Sequence, residues 1–302
     1  MFNNSLLLKY CKFFLKIYIS FLRTIHIYPM LFYCYVLKYF KKVRIKNYNK
    51  HTNCVNNRKI MNNGDKEDNE KCFLSMSGGG FKTIYHLGVY TGIKKRMKLE
   101  KDICCIGTSM GSLTSAIMTS NIDIYEKFVP LISDMLYDYK YNVLSHFTHA
   151  GKRIEHIMEE SFPENIHELV SGKCFITVSF ITIHGFEKEI ISEFTSKRDL
   201  IDCITASSFV PIWTDNKLFK YRNKYCIDSN ILFYFPFLYN KNTVSITFDS
   251  SSDIHPTKKD LDILHTFIPV EQNDIIRIIN CGIADGEIFL SKPNCIWKRY
   301  CK

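Results

Sequence analysis

The sequence lacks the motifs of several large protein classes. No two of its 12 cysteines form a Cys-x-x-Cys pair, and no cluster of Cys and His has the spacing of a zinc site. It has no Gly-Lys-Ser/Thr phosphate-binding loop, no Gly-x-Gly-x-x-Gly fingerprint, no calcium motif and no internal repeat. These absences weigh against zinc modules, nucleotide-binding enzymes and repeat proteins. Most cysteines lie in apolar runs, as small buried residues do in a reducing compartment, so we expect the main domain to face the cytosol.

Acidic side chains are absent from the first 64 residues, which contain 12 of the 40 Lys and Arg residues. The rest of the chain therefore carries 28 basic and 30 acidic side chains, and the formal net charge of +10 comes from one arm. This distribution argues against a nucleic-acid-binding domain, and we predict no nucleic-acid partner. The composition, 46% hydrophobic and 23% charged, is that of a globular protein and excludes disorder throughout.

The basic arm shows a helical pattern. Over residues 5–28, lysines recur on one stripe while Leu, Ile, Phe and Tyr cover the rest of the circumference, and Pro29 then ends the helix. A cleaved signal peptide is disfavoured because basic residues recur and no small-residue cleavage site follows. A spanning helix over residues 17–37, an organelle-targeting peptide and a helix docked on protein remain alternatives. Arg23 lies in the middle of that span, so we favour interfacial binding to a membrane or lipid-droplet surface through residues 5–44.

Composition divides the chain into four parts. Residues 1–44 form the predicted membrane-associated arm, and residues 45–71, rich in Asn, Lys and Asp, form a flexible linker. A folded domain is predicted over residues 72–290, followed by a C-terminal tail at 291–302. We therefore expect a membrane-associated protein whose folded domain lies in the cytosol.

Hydrophobic spacing within the domain predicts alternating strands and helices. Strands are predicted at residues 73–77, 103–106, 174–183, 190–194, 225–227 and 244–248. Helices are predicted at residues 83–97, 112–119, 122–139, 153–161, 199–207 and 275–289. This order favours a layered α/β domain with a central, mostly parallel sheet flanked by helices and a site at the carboxyl ends of the strands.

Two glycine-containing segments give the strongest functional signal. Gly107 and Gly111 bracket the sequence Thr-Ser-Met at the end of an apolar strand, ahead of a helix of small residues. A Gly-x-Ser-x-Gly elbow of this kind presents one serine, here Ser109, on a sharp strand-to-helix turn. A second segment follows an earlier strand and offers backbone N–H groups to a developing negative charge; it comprises Gly78, Gly79, Gly80 and Phe81. A serine nucleophile with an oxyanion cradle predicts acyl transfer to water.

Four ordered blocks resemble the patatin-like phospholipase family, in particular the adiponutrin-type lipases. The resemblance covers about residues 72–290, and a weaker similarity lies at residues 251–256. The blocks are Ser77–Lys82 with the following Tyr85–Val89, the elbow Gly107–Gly111, the segment Arg198–Pro211, and Tyr225–Asn230, which stands where the family has Asp-Gly-Gly or Asp-Gly-Ala.

The resemblance implies a three-layer patatin-like α/β fold and a lipid acyl hydrolase acting on phospholipid or acylglycerol esters. Ser109 would attack the ester carbonyl, and Asp228 would accept its proton without help from a histidine. The oxyanion would be held by backbone N–H groups of Gly78, Gly79, Gly80 and Phe81. This dyad mechanism requires no metal and no cofactor.

The chain departs from the family pattern at two points. Ser229 and Asn230 replace small residues after the acid, which raises the question of strain at Asp228, and Thr83 replaces a glycine after the oxyanion loop. One alternative is an α/β-hydrolase triad with His255 or His265 as base. Another is an inactive lipid-binding or membrane-tethering protein on a patatin scaffold.

Overall fold

The structure is a computed structural model. It describes residues 71–97, 103–123, 126–127, 129–141, 143–183, 185–211, 214–215, 217–232, 242–248, 250, 252–257 and 270–301. The predicted arm, most of the predicted linker and His265 lie outside the described residues. Within the described ranges, no helix combines the length and the apolar character needed to cross a bilayer.

Strands and helices alternate along the domain, as the hydrophobic spacing predicts. The strands are β1 (Cys72–Met76), β2 (Ile103–Thr108), β3 (Cys174–Thr182), β4 (Gly185–Ile191), β5 (Lys220–Tyr221), β6 (Lys224–Ile227) and β7 (Thr243–Ile246). The helices are α1 (Ile84–Arg96), α2 (Met110–Ser120), α3 (Val129–Tyr141), α4 (Val143–Ser161), α5 (Ile166–Val170), α6 (Lys197–Ser207), α7 (Ser229–Leu232) and α8 (Gln272–Ser291). Short 3-10 turns lie at Gly80–Thr83 and Lys298–Tyr300.

The strands form one sheet in the order β5-β6-β3-β2-β1-β7, with β4 pairing to β3 off this path. The four strands β3, β2, β1 and β7 are parallel, while β4, β5 and β6 add an antiparallel corner. The prediction of an α/β fold with a mostly parallel central sheet flanked by helices is therefore confirmed. Within the antiparallel corner, spacing predicts the strands that become β3, β4 and β6, but neither β5 nor the pairing of β6 with β3.

Two strands approach each other head-on along one edge of β3. β2 runs parallel to β3 and ends at Thr108, opposite Thr177. β6 runs antiparallel and ends at Ile227, opposite Ser179, while β4 occupies the other edge of β3. Both strands must leave the sheet in the gap between these two positions. The residues that follow them, Ser109 after β2 and Asp228 after β6, are therefore brought close together. Sheet pairing thus builds the candidate site from segments far apart in the sequence.

Three predicted elements differ from the structure by more than three residues in where they begin. The strand predicted at 190–194 begins at Gly185, because β4 is an edge strand that tolerates the charged residues which hid its pattern. The helix predicted at 122–139 is described from Val129, with Pro130 in its first turn, where the missing N–H has no partner to lose. The helix predicted at 153–161 begins at Val143, and a kink at His149 interrupts its periodicity.

Helices α1 and α8 pack with their backbones in contact. A Cβ atom at Gly88 would lie 2.1 Å from the carbonyl oxygen of Ile279, and one at Gly282 would lie 2.3 Å from that of Tyr85. Only glycine permits this approach. The Tyr85 hydroxyl also donates to Asp285 of α8 at 2.8 Å, in a buried contact.

Apolar side chains are buried on both faces of the sheet. Leu74 and Cys105 belong to the main core, whereas Phe73, Cys104 and Ile106 form a second, smaller cluster. Five of the described cysteines that lie in apolar runs are buried and form no disulfide: Cys104, Cys105, Cys174, Cys203 and Cys226. Burial raises the pKa of the Cys105 thiol well above its usual value, which suits a packing role.

The residues predicted as a C-terminal tail pack on the domain. Trp297 is fully buried, and its indole N–H donates to the carbonyl oxygen of Asn242 at 2.8 Å. Cys301 forms an isolated antiparallel bridge with Met97 at the end of α1.

Candidate active site

Ser109 occupies a strained turn between β2 and α2. Its φ of 54° and ψ of −135° lie in a region that residues other than glycine rarely adopt. The flanking glycines are required by close backbone approach. A Cβ atom at Gly107 would lie 2.2 Å from the carbonyl oxygen of Gly111, and one at Gly111 would lie 2.6 Å from that of Ser77. The elbow predicted from the sequence therefore has the geometry that exposes a nucleophile at a strand end.

The side chains of Ser109 and Asp228 are in direct contact. The Ser109 hydroxyl donates to Asp228 Oδ2 at 2.5 Å, across 119 residues of sequence. The other carboxylate oxygen, Oδ1, accepts the Asn230 backbone N–H at 2.8 Å, and the Asp228 N–H donates to the Phe209 carbonyl at 2.7 Å. Both side chains are recessed, with Ser109 7% and Asp228 3% exposed. The carboxylate is thus held on several sides and aimed at the serine.

The backbone of Ser109 is fixed by neighbouring hydroxyls. Its N–H donates to Ser207 Oγ at 2.8 Å, and the Ser207 hydroxyl donates in turn to the Thr177 carbonyl at 2.7 Å. The Ser112 hydroxyl donates to the Ser109 carbonyl at 2.5 Å. These contacts stabilise a strained residue, and they also mean that the Ser109 N–H is not free to bind a substrate oxygen.

The glycine loop divides into a structural and an open part. The Gly78 N–H donates to Thr108 Oγ1 at 3.1 Å and to Asn230 Oδ1 at 3.0 Å, so this predicted oxyanion donor is already engaged. Within the described part of the chain, the N–H groups of Gly79 and Gly80 donate to no protein acceptor. Gly80 has a φ of 59°, which turns the loop into the 3-10 turn. Gly79 and Gly80 are therefore the available donors.

Asn230 connects the acid to the glycine loop, and sequence reasoning did not assign it this position. Its backbone N–H contacts Asp228 while its side-chain oxygen accepts the Gly78 N–H. A Cβ atom at Gly78 would lie 2.8 Å from Asn230 Cβ and 2.7 Å from Ser109 Cβ, so the three segments converge here. The signal in the sequence was only a departure from the glycine or alanine of the family pattern.

Neither departure from the pattern strains the backbone. Ser229 and Asn230 have no positive φ, and both lie at the start of α7, where the Ser229 hydroxyl accepts that of Ser179 at 3.0 Å. Thr83 has helical angles, and its hydroxyl donates to the Gly80 carbonyl at 2.8 Å. A glycine is therefore not needed at any of these positions, and the concern about the aim of Asp228 is answered by its contact with Ser109.

The sequence profile of the family described as "Patatin-like phospholipase" matches residues 74–239, more than half of the chain. The chain belongs to the patatin-like phospholipase family. Both halves of the candidate site, the elbow and the segment that carries Asp228, lie inside the matched region. The family resemblance inferred from four blocks is thereby confirmed.

Relatives of this patatin-like chain have modest identity. The human patatin-like phospholipase domain-containing protein 4 is 28% identical over 73% of this chain and 97% of its own length. The mouse 1-acylglycerol-3-phosphate O-acyltransferase Pnpla3 is 25% identical over 65% of this chain, and the mouse omega-hydroxyceramide transacylase is 25% identical over 61%. The matched region spans only 48% and 31% of the latter two proteins.

One buried histidine supports the wall behind the patatin-like glycine loop. His86 is fully buried and stacks on Phe248 with ring centroids 5.0 Å apart. The Phe248 ring also packs on the glycine loop, because a Cβ atom at Gly79 would lie only 2.4 Å from Phe248 Cε2. Within the described residues, neither ring nitrogen has a hydrogen-bond partner. Burial, and secondarily the charge of Lys82, lowers the pKa of His86 to about 3. The imidazole is therefore held in its neutral form behind the glycine loop.

Candidate metal ligands do not converge in the described residues of the patatin-like domain. No group of three or more His, Cys, Asp or Glu side chains is placed there to hold a metal ion. His255, the described member of the two histidines weighed as a base, is half-buried and contacts the Ser252 carbonyl through Nδ1 at 3.3 Å.

Proposed function

We propose that this chain is a lipid acyl hydrolase that works through an acyl-Ser109 intermediate. The observation that carries the proposal is the direct contact of the Ser109 hydroxyl with Asp228, made by a serine on a strained elbow. A histidine base between these two residues is disfavoured, because a 2.5 Å separation leaves no room for an imidazole ring. Membership of the patatin-like phospholipase family supports an ester substrate.

In the proposed acylation step, Asp228 Oδ2 takes the proton of Ser109 as its Oγ bonds to the ester carbonyl carbon. The tetrahedral intermediate collapses, the bond to the leaving alcohol breaks, and Asp228 returns the proton to that alcohol. In deacylation water loses a proton to Asp228 and attacks the carbonyl carbon of the acyl-serine. The bond between that carbon and Ser109 Oγ then breaks, the fatty acid leaves, and Asp228 returns the proton to Oγ. The contact from Asn230 N–H leaves Oδ2 aimed at the serine throughout.

We assign the oxyanion to the N–H groups of Gly79 and Gly80 rather than to that of Gly78. This assignment is supported by the two bonds that already engage Gly78, and by the lack of an acceptor for the Gly79 and Gly80 N–H groups among the described residues. The amino end of α2, which begins at Met110, adds a favourable dipole. Phe81 contributes to the wall, because it lines a small apolar cavity with Met110 and Leu113.

A second candidate function is acyl transfer, which differs from hydrolysis only in the molecule that finally accepts the acyl group. The names of two relatives, an O-acyltransferase and a transacylase, describe transfer to an alcohol instead of water. Both outcomes proceed through the same acyl-serine. Incubation of the full chain with defined phospholipids and acylglycerols, with and without an added lipid alcohol, separates them by mass spectrometry of the products. Release of free fatty acid supports hydrolysis, whereas a new acylated alcohol supports transfer.

Replacement of His255 by Ala is expected to leave kcat/KM for a soluble ester within about threefold of wild type, because the dyad uses no imidazole. A triad would predict a loss of at least about a thousandfold. The measurement is hydrolysis of a short-chain p-nitrophenyl ester at saturating and limiting concentrations. His265→Ala, tested alongside, covers the other histidine, and a loss of that size for either variant contradicts the dyad.

Replacement of Asn230 by Leu removes the amide that holds Gly78 but keeps the backbone N–H that reaches Asp228. We expect kcat to fall about tenfold with little change in KM, because the donors of the glycine loop would lose their alignment with the oxyanion. Asn280→Leu, at an exposed position of α8, provides a matched control. A parallel fall in both variants, or an unchanged kcat in Asn230→Leu, would show that the contact has no role in the reaction.

A further inference from the structure

The side chain of Asn230 uses only one of its two polar atoms within the domain. Its Oδ1 accepts the Gly78 N–H at 3.0 Å. Because an N–H group requires an acceptor, the carboxamide must turn its oxygen toward Gly78, which fixes the orientation of the amide. Among the described residues, the nitrogen at the other end, Nδ2, donates to no acceptor. The amide therefore holds the loop with its oxygen and leaves its N–H donors unused.

The unused end of this amide reaches solvent. Asn230 is half-buried, whereas the two residues before it, Asp228 and Ser229, are buried. Nδ2 does not belong to the buried polar atoms that lack a partner in the described part of the chain, so water can contact it. An exposed donor costs little without a protein partner, and a ligand oxygen can replace its water. Nδ2 is thus available to a molecule that enters the site.

The carboxamide lies beside the nucleophile and on the side of the acid. A Cβ atom at Gly78 would lie 2.9 Å from Asn230 Cγ and 2.7 Å from Ser109 Cβ, so both side chains flank the same Cα atom. The Asn230 backbone N–H donates to Asp228 Oδ1 at 2.8 Å. The assigned oxyanion donors come after Gly78 along the loop. Asn230 therefore stands between the acid and the glycine loop, next to the serine.

The position of Asp228 decides which part of an ester faces Asn230. In the proposed acylation step, Asp228 returns the proton of Ser109 to the leaving alcohol, so the alcohol part must lie on the side of the acid. The carbonyl oxygen lies on the other side, at the N–H groups of the glycine loop. Nδ2 therefore faces the alcohol part. In an ester of a polyol, the first acceptor beyond the ester oxygen is the oxygen on the adjacent carbon atom.

We propose that Asn230 Nδ2 donates to that adjacent oxygen, and that this contact makes the chain discriminate between esters that carry it and esters that lack it. The proposal rests on the proposed function, because the placement of the alcohol follows from the role of Asp228. It concerns this chain and not the family pattern, since the glycine or alanine of that pattern carries no side-chain donor. Asn230 then has two tasks: its oxygen positions the loop, and its nitrogen contacts the substrate.

The two tasks are separated by a pair of substrates and a variant. Monooctanoylglycerol is compared with its deoxy analogue, which lacks the hydroxyl on the carbon next to the ester oxygen. We expect the full-length wild type to favour the glycerol ester by about tenfold in kcat/KM, and Asn230→Asp to lose this preference, because it keeps an acceptor for Gly78 but has no donor. Misalignment of the loop, or the added charge, acts on both esters alike and leaves the ratio unchanged. Asn280→Asp, at an exposed position of α8, should keep the wild-type ratio.

Binding tests the contact without any turnover. Ether analogues of the two esters cannot be cleaved, and calorimetry gives the Kd of each for the full chain. We expect the glycerol ether to bind about tenfold more tightly to wild type, and the two Kd values to become equal in Asn230→Asp and in a second variant, Asn230→Gly. If wild type hydrolyses neither ester, the proposed function fails while the Kd ratio still decides this inference.

Two results would overturn the inference. One is an equal Kd of the two ethers in wild type, or a preference that both Asn230 variants retain. The other is an equal fall of kcat/KM for both esters in Asn230→Asp, which would mean that Nδ2 donates to the oxyanion and not to the alcohol.

Discussion

Replacing Ser109 by Ala is expected to lower kcat/KM for ester hydrolysis by at least about a thousandfold, because it removes the hydroxyl that donates to Asp228 Oδ2 and would attack the ester. Asp228→Asn should reduce it by a similar factor, since a carboxamide fills the same space but cannot accept the serine proton. Both are measured with a soluble ester and a defined phospholipid. Circular dichroism of each variant verifies that the fold is retained.

Matched replacements distinguish chemistry from packing. Ser115→Ala removes a buried hydroxyl one turn further along α2, where it donates to the Gly111 carbonyl, and Asp285→Asn alters a buried carboxylate that accepts from Tyr85. Neither should change kcat by more than about threefold. A fluorophosphonate probe should label the wild type and the control variants but not Ser109→Ala. Hydrolysis that survives in Ser109→Ala would contradict an acyl-Ser109 intermediate, whereas a wild type without labelling or turnover would favour the inactive-scaffold alternative.

The elbow could be predicted from its local pattern, whereas Asp228 was assigned only through the family resemblance. A Gly-x-Ser-x-Gly segment after an apolar strand leaves few structural options, and the close contacts at Gly107 and Gly111 show why glycine is needed. The pairing of Ser109 with Asp228 came only from the family resemblance. Its physical cause is the head-on approach of β2 and β6 along β3, which no local pattern reveals.

Other parts of the site could not be read from local patterns. Whether a loop N–H is free depends on side chains distant in the chain, as Thr108 and Asn230 show for Gly78. The side chains that share a face of the β3–β4 hairpin are set by strand register, because a shift of one residue would move Glu187 and Glu189 to the face of Ile181. Long-range pairing therefore determines both which donors remain available and which surface faces outward.

Because the imidazole of His86 is buried, we expect the free energy of unfolding to decrease as the pH is lowered. In the folded state its pKa is lowered to about 3 from the ordinary value of 6.5, so below about pH 6.5 only the unfolded chain gains this proton. The contribution is fully present above pH 6.5 and is lost as the pH falls toward 3. It amounts to about 1.4 kcal/mol per pH unit and on the order of 5 kcal/mol in total, a large share of a typical folding free energy.

Urea unfolding at several pH values between about 7.5 and 5.5 measures this contribution, because most carboxylates stay ionised in that window. His86→Phe keeps a ring against Phe248 and removes the proton site, so its unfolding free energy should lose about 1.4 kcal/mol less than that of wild type across the window. His156→Phe, on the exposed side of α4, should retain the wild-type slope. If His86→Phe shows the same slope as wild type, the imidazole is protonated in the folded chain, and the packing of Phe248 against Gly79 must accommodate a charge.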